Sequence, residues 1–420
     1  MKIFKFGGAS VKDAPAVRNS AKIIKKHAPS NELLVVVSAM GKTTNALEVL
    51  YEKAHTKQDY SAEFKQLTQY HEDIVNQLFD NKQAPIFGVL VNMFTRLDAQ
   101  LEKSPLYKNY DEGYDQIISF GELLSTHIVA HYLTEAGVNN TWLDARRYIQ
   151  TDDTWREGKV DFAWTEKQVK RELPEILTNK VIVTQGFIGG TLEGKTTTLG
   201  REGSDYTASI FAYCLDAESL TIWKDVPGVL NADPRRLAET HLYEQLSYQD
   251  AAEMTYYGAT VIHPKTIKPL ANRNIPLFVR SFIEPDKSGT RISNSRPPKI
   301  RPAIIFKPNQ KLLSFHIKDL AFITEKNVST IIEAIGRLNV KANLMQNSAT
   351  SFSVCVDNDL RRIEKLRNLL SEEFSIYYNE NLQLITIKNY DEASVQEITQ
   401  GKEILLEQRT RHTFQIVVKE

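Results

Sequence analysis

The sequence predicts an α/β fold: a three-layer sandwich around a largely parallel central sheet, followed by two small α+β ferredoxin-like modules. Three observations lead there. Short apolar strands alternate with helix-period segments across roughly the first 295 residues. The second strand, Leu33-Leu34-Val35-Val36-Val37, is apolar throughout, the pattern of a strand covered on both faces. Beyond Ser293–Pro302, which holds Pro297, Pro298 and Pro302 and reads as a linker, the pattern shortens to strand–helix–strand units.

Each element follows from local pattern. Ile3–Phe6 is a strand that opens into Gly7-Gly8-Ala9-Ser10, with a helix predicted from about Pro15 to Lys26 and a strand over Leu33–Ser38. From Thr44 to about Ala136 the apolar residues recur every three to four positions, as at Leu47, Leu50, Ala54 and Leu97, Leu101, so this region reads as helical. Strands return at Val138–Leu143, Val181–Gly186, Leu220–Lys224 and Pro276–Arg280. Helices are predicted near Val160–Leu173, Asp205–Cys214 and Tyr248–Tyr257. The last third reads as strand, helix, strand, strand, helix over Leu312–Ile317, Val328–Leu338, Val340–Met345, Ser351–Val356 and Arg361–Leu370. A second set follows over Leu382–Ile387, Ala393–Gln400, Glu403–Leu406 and Thr413–Val418. The domain expectation is therefore 1–295, 303–374 and 375–420, the last sharing strands with 303–311.

Composition narrows the function classes. In 420 residues, 52 Lys plus Arg balance 52 Asp plus Glu, which argues against general nucleic-acid binding. No apolar stretch is long enough to cross a bilayer, and the start reads as a strand, not a signal peptide. Cys214 and Cys355 both sit in apolar segments and read as core residues, in keeping with a reducing cytoplasm. No built-in zinc site is expected from the histidines.

Several strand ends carry phosphate- and carboxylate-binding chemistry. Gly7 and Gly8 let backbone N–H groups close on an anion, Lys5 adds a point charge, and Ser10 is placed to cap the following helix. Ser38-Ala39-Met40-Gly41, with Thr43 and Thr44 beyond, is a second small-residue turn. In a parallel sheet it shares the ligand-binding carboxyl edge with the first. Thr196–Asp205 packs glycines and hydroxyls around Arg201, which suits the carboxylate of a small zwitterion, and Asp205 is either a helix cap or a functional acid. Glu122, in the first turn of an apolar helix, either offsets the helix dipole or receives an ammonium. Lys224 and Arg235 are candidates to face a polyphosphate, with Trp223 or the Val226–Val229 turn bordering a base, and His263 and Lys265 lie in a later polar loop. The protein-kinase catalytic loop is not present. No residue stands out as an essential base, which suits transfer to a carboxylate, already ionised at neutral pH.

Taken together, Lys5-Phe6-Gly7-Gly8-Ala9-Ser10, Val37–Gly41, Phe120–Ser125, Gly186–Gly189, Thr198–Asp205, Trp223–Val229, Ala232–Arg235 and His263-Pro264-Lys265 resemble the aspartate kinases of the amino-acid kinase superfamily. The resemblance implies phosphorylation of the β-carboxylate of L-aspartate by ATP with Mg²⁺, the nucleotide bringing the metal and the protein holding no metal site of its own. It implies that Lys5 neutralises the transferring phosphoryl and that Gly7 and Gly8 line the phosphates. Glu122 would hold the substrate ammonium. Arg201 would hold its carboxylate with help from Ser38, Thr44 and Ser204. Asp205 would keep Lys5 and the ammonium in place, and Asp225 and Arg235 fall at nucleotide positions. Three residues depart from the family pattern: Ala9 for Thr or Ser, Glu202 for Gly, and Thr260 for a nucleotide-contacting Lys, for which Lys265 is the candidate substitute. The C-terminal part resembles paired ACT domains, implying a homodimer and a lysine or threonine effector, lysine ahead. The same resemblance implies a monofunctional cytoplasmic enzyme with no nucleic-acid or membrane partner. A glutamate or acetylglutamate kinase is the near rival, against which Glu122 with Arg201 argues for a free amino group. A catalytically silent amino-acid sensor is the distant rival.

Overall fold

Parallel pairing of β1 (Lys2–Phe6) with β2 (Leu33–Val37) starts the large sheet. The computed structural model describes residues 1–259, 262–295, 300–318 and 322–420. Thr260, the linker prolines Pro297 and Pro298, and Asp319-Leu320-Ala321 of the effector-loop reading lie outside the described residues. Further strands are β3 (Asn140–Leu143), β4 (Val181–Gln185), a β5–β6 hairpin (Ile188–Gly190, Thr196–Thr198), β7 (Ser219–Lys224), β8 (Gln245–Ser247), β9 (Leu277–Ser281) and β10 (Thr290–Ser293). The eight-stranded sheet has the order β3-β4-β2-β1-β7-β9-β10-β8, parallel except where β10 meets β9.

The side-chain period of two divides β1 between two layers. Phe4 and Phe6, with Val35, Val37 and Val183, face a core shared with helices α1 (Ala14–His27), α2 (Thr43–His55), α3 (Ser61–Leu78), α4 (Pro85–Lys103), α5 (Tyr110–Ile118) and α6 (Phe120–Glu135). Ile3 and Lys5 therefore share the opposite face. There β1 packs against α8 (Gly203–Cys214), which neighbours α7 (Phe162–Asn179) and α10 (Pro264–Asn272). The intervening helix α9 spans Tyr248–Tyr257. Because β1, β2, β4 and β7 run parallel, Lys5, Ser38, Gly186 and Lys224 fall at one carboxyl edge.

Two details differ from the sequence expectation. Ser10 lies in a short 3-10 turn and does not cap α1; Asp13 caps it, accepting from the Ala16 amide at 2.8 Å. The Ser10 hydroxyl, 1% exposed, donates to the Trp223 carbonyl instead. Trp223 does not border a base: it is fully buried and stacked on Phe6 with centroids 6.1 Å apart.

The chain forms two compact units, one of Met1–Val229, Leu242–Ala252 and Ile262–Pro297, the other of Leu230–His241, Glu253–Val261 and Pro298–Glu420. In the second, an antiparallel sheet has the order β12-β13-β11-β14-β16-β15. Its strands are β11 (Ala303–Ile317), β12 (Ala342–Asn347), β13 (Ser351–Asp357), β14 (Phe374–Lys388), β15 (Ile404–Arg409) and β16 (Thr413–Lys419). β11 and β14 pair along almost their whole length and run through two cores. One core joins Leu313, Phe315, Val354 and Phe374 to α11 (Glu325–Arg337) and α12 (Leu360–Leu370). The other joins Ile304, Ile385, Ile387 and Phe414 to α13 (Glu392–Thr399). Leu230–His241 joins this unit through Ala232, packed in the second core, and the Asn231 carbonyl, which accepts from the Ile304 amide at 2.7 Å.

Candidate active site

A cleft of about 600 Å³ opens at the carboxyl edge of the large sheet, a volume suited to small-molecule ligands. Its wall includes Lys5, Gly8, Ser38, Thr44, Glu122, Arg201, Ser204, Asp205 and Lys224. Lys5 reaches it because β1 ends there, and Ser38 because β2 does. Thr44 stands in the first turn of α2, Glu122 in the first turn of α6, and Ser204 and Asp205 in the first turn of α8.

The charges are arranged in a definite order. Lys5 Nζ lies 2.6 Å from Asp205 Oδ1, both side chains buried, and Lys224 Nζ lies 3.9 Å from Asp205 Oδ2. One carboxylate thus fixes two ammonium groups at the mouth of the glycine turn. Glu122 is 3% exposed; its Oε1 accepts from the Ala39 amide at 3.2 Å, and its Oε2 has no partner among the described residues. Burial pushes the Glu122 carboxyl up to about 8, against the opposing pull of the Ala39 and Glu122 amides and of Lys5. An unpartnered buried carboxylate oxygen on a cleft wall is a receptor for a cationic group. Arg201 is exposed and joins no ion pair among the described residues.

Close backbone approach shapes the floor. A Cβ at Gly8 would meet the Ala39 carbonyl at 2.8 Å and the Gly41 carbonyl at 3.0 Å, so only glycine lets these two turns touch. Gly8→Ala is expected to part them and lower kcat/KM by about 10²-fold, a steady-state rate measurement. Gly186 is equally tight, its Cβ position lying 2.4 Å from Ser204 Cβ.

Other expected residues lie elsewhere. Ser10 points at Trp223, as above. Gly7 adjoins Lys5 without lining the cleft wall, its Cβ position 3.4 Å from Lys5 Nζ. Asp225 is exposed in the turn after β7. Lys265 is 4.0 Å from Glu157, a cleft residue. Arg235 belongs to the second unit and forks onto Asp233 through Nε at 3.0 Å and Nη2 at 2.8 Å. Glu202 takes a left-handed backbone (φ 55°), and its Oε2 accepts from the His263 amide at 2.9 Å. Among the described residues no group of three or more His, Cys, Asp or Glu side chains is arranged to hold a metal ion.

Sequence reasoning missed Tyr114, Arg156 and Glu157 on the wall, and Asp115 behind it. Asp115 is fully buried and accepts from the Thr198 amide (2.9 Å), the Thr198 hydroxyl (2.7 Å) and the Arg156 amide (3.0 Å). Burial raises its carboxyl to about 6 despite these bonds. A polar residue next to an aromatic one on an amphipathic helix gives no signal of this role.

Residues 1–281 match the amino acid kinase family. The chain is 33% identical over 360 residues to lysine-sensitive aspartokinase 3 of Escherichia coli, an alignment covering 84% of this chain and 78% of that protein. It spans only 32% to 47% of the longer bifunctional aspartokinase/homoserine dehydrogenases that it also matches. The structure of E. coli aspartokinase III in complex with aspartate and ADP superposes with a TM-score of 0.83 at 28% identity, covering 100% of this chain and 96% of that one. That of the same protein with lysine and aspartate gives 0.82, with the same identity and coverage. The chain belongs to the amino acid kinase family and, within it, to the aspartokinases.

Proposed function

We infer that this chain is an ATP-dependent aspartate kinase, transferring the γ-phosphoryl group of ATP to the β-carboxylate of L-aspartate to give 4-phospho-L-aspartate and ADP. The observation that carries this is the unpartnered Glu122 Oε2 in a cleft that also holds Arg201 and the Lys5–Asp205 pair. A free α-amino group satisfies Glu122, which an N-acylated substrate cannot do. Arg201 takes the α-carboxylate, with Ser38, Thr44 and Ser204 supplying hydrogen bonds. The likeness to a structure holding aspartate and ADP supports aspartate as the acceptor and ADP as the nucleotide product.

The reaction needs no protein base. A β-carboxylate oxygen, already ionised, attacks the γ-phosphorus; the bond from phosphorus to the bridging oxygen breaks and ADP leaves with that electron pair. Lys5 neutralises charge on the oxygens of the transferring group, and Asp205 keeps its ammonium in place. Gly7, Gly8 and Lys224 serve the phosphates, with Lys265 beyond. Asp225 and Arg235 are nucleotide contacts by resemblance alone. Mg²⁺ brought by the nucleotide would supply further neutralisation of phosphate charge beside Lys5 and Lys224. The acidic side chain that adjoins this region, Asp205, is already committed to two lysines.

Catalysis is assigned to the 1–295 region, and 303–374 and 375–420 to two ACT-like modules sharing β11 and β14. These modules carry homodimerisation and an amino-acid effector, lysine by analogy with the lysine-sensitive relative. The chain's described helices include none long and apolar enough to span a membrane, and cytoplasmic action is part of the proposal.

Hydroxylamine trapping tests the activity. Aspartate with MgATP is expected to give hydroxamate and ADP in equal amounts, and glutamate and acetylglutamate little; no hydroxamate from aspartate would refute the assignment. Arg201→Ala is expected to raise the aspartate KM by about 10²-fold with the ATP KM nearly unchanged, as lost charge-assisted hydrogen bonds require.

A further inference from the structure

Arg156 is one of three non-glycine residues on the cleft wall with a left-handed backbone, its φ at 65° beside Phe187 at 67° and Glu202 at 55°. A non-glycine residue in the left-handed region costs free energy and persists only where its surroundings hold it. Here the holding elements come from one face of α5. Asp115 accepts from the Arg156 amide at 3.0 Å, the guanidinium carbon stands 4.1 Å from the centre of the Tyr114 ring, and Nη1 reaches Asp111 at 3.3 Å. Tyr114 is braced in turn, its hydroxyl donating to Glu48 on α2 at 2.6 Å.

The turn that carries Arg156 also packs onto the residue next to Arg201. A Cβ at Gly200 would meet the Arg156 carbonyl at 3.2 Å and Glu157 Cγ at 3.1 Å. The same Asp115 carboxylate binds Thr198, two residues before Gly200. Arg156 and Arg201 are thus presented by adjoining segments of one wall, while Lys5 and Lys224 are gathered around Asp205.

We propose that Arg156 is a second guanidinium for the α-carboxylate of the amino-acid substrate, acting beside Arg201. The proposal rests on the aspartate kinase reading above. Three points support it. A guanidinium stacked on an aromatic ring keeps its planar fork preorganised for a carboxylate. Its neighbours belong to the Arg201 wall. The reacting β-carboxylate is poorly served by such a clamp, which would draw off the electron pair needed for attack, whereas the non-reacting carboxylate loses nothing by it.

The left-handed backbone supplies an unusually clean test, because Arg156→Gly removes the side chain while relieving the conformation. Thermal unfolding of the variant is expected at or above the wild-type temperature. In steady-state hydroxamate assays the aspartate KM should rise about 30-fold, with the ATP KM within twofold. Arg156→Lys, which keeps the charge but not the fork, should fall between, and added guanidinium ion should restore part of the glycine variant's aspartate affinity. An unchanged aspartate KM, or a rise confined to the ATP KM, would overturn the proposal. Wild-type turnover of aspartate is measured in the same experiment, so its absence would refute the kinase reading, whereas wild-type turnover with an unaffected Arg156→Gly variant would refute only the role of Arg156.

Discussion

Replacing Lys5 by methionine is expected to lower kcat by about 10³-fold while leaving the aspartate KM within a few-fold, because the loss falls on charge that develops during transfer. Lys5 is set for this by three features. It is the penultimate residue of the central strand β1, between Val36 and Ile222, it shares the α8 face of the sheet with Ile3, and Asp205 meets it at 2.6 Å. The same pairing warns of a second effect. Removing one member of a buried ion pair strands the other, at a cost of about 3–5 kcal/mol, which Lys224 at 3.9 Å offsets only in part. Pairing Lys5→Met with Asp205→Asn separates the two. The double variant should recover thermal stability but not activity, and recovery of both would mean that Lys5 has no role in transfer.

Replacing Glu122 by glutamine is expected to raise the aspartate KM by about 10²-fold, by removing a charged partner of the ammonium from a buried site. It should also change two pH profiles. With its carboxyl near 8 in the folded chain against about 4.3 when exposed, wild-type Glu122 holds a proton at pH 7 that the unfolded chain has released. Aspartate binds the ionised form, so wild-type KM should fall as pH rises toward 8 and then level off, while the variant's is flat across that range. Stability runs the other way. Between about pH 4 and 8 the native state binds more protons than the unfolded one, so unliganded stability declines as pH rises through this window. Glu122→Gln removes that contribution, and the variant should melt at a higher temperature than wild type at pH 8. A lower melting temperature there would mean that Glu122 is satisfied by the protein itself.

Much of this site can be read in the chain because its parts sit at the ends of strands that announce themselves. Leu33–Val37 is apolar at every position and buried at every position. Once the strands are parallel, the glycine and hydroxyl turns after them must share an edge. Glu122 and Arg201 were legible for a different reason, a charged residue embedded among apolar or glycine neighbours. Arg156 has no such marking: what sets it apart is a backbone angle and a contact with Asp115, 41 residues away in the chain, and local pattern shows neither. Ser10 misled because a serine before a helix is a good cap, but the chain takes a 3-10 turn first and Asp13 wins the position. Trp223 misled because an aromatic at a strand end resembles a base platform, whereas the pleat turns it inward onto Phe6. In the second unit the sequence pattern marks only short pieces of the long strands β11 and β14. Lys307-Pro308-Asn309-Gln310 and the polar run through Tyr377–Glu380 interrupt the alternation while the ladder continues on either side, with register shifts between Lys307 and Leu312.

In the proposed aspartate kinase, the buried Glu122 carboxylate in the cleft receives the ammonium of the amino-acid substrate. Calorimetric titration of aspartate at pH 7, in two buffers of different ionisation enthalpy, counts the protons exchanged on binding. The wild type is expected to release most of one proton, as follows from a carboxyl raised to about 8 by burial, and Glu122→Gln none. Binding of aspartate to the wild type with no proton released would contradict this role of Glu122.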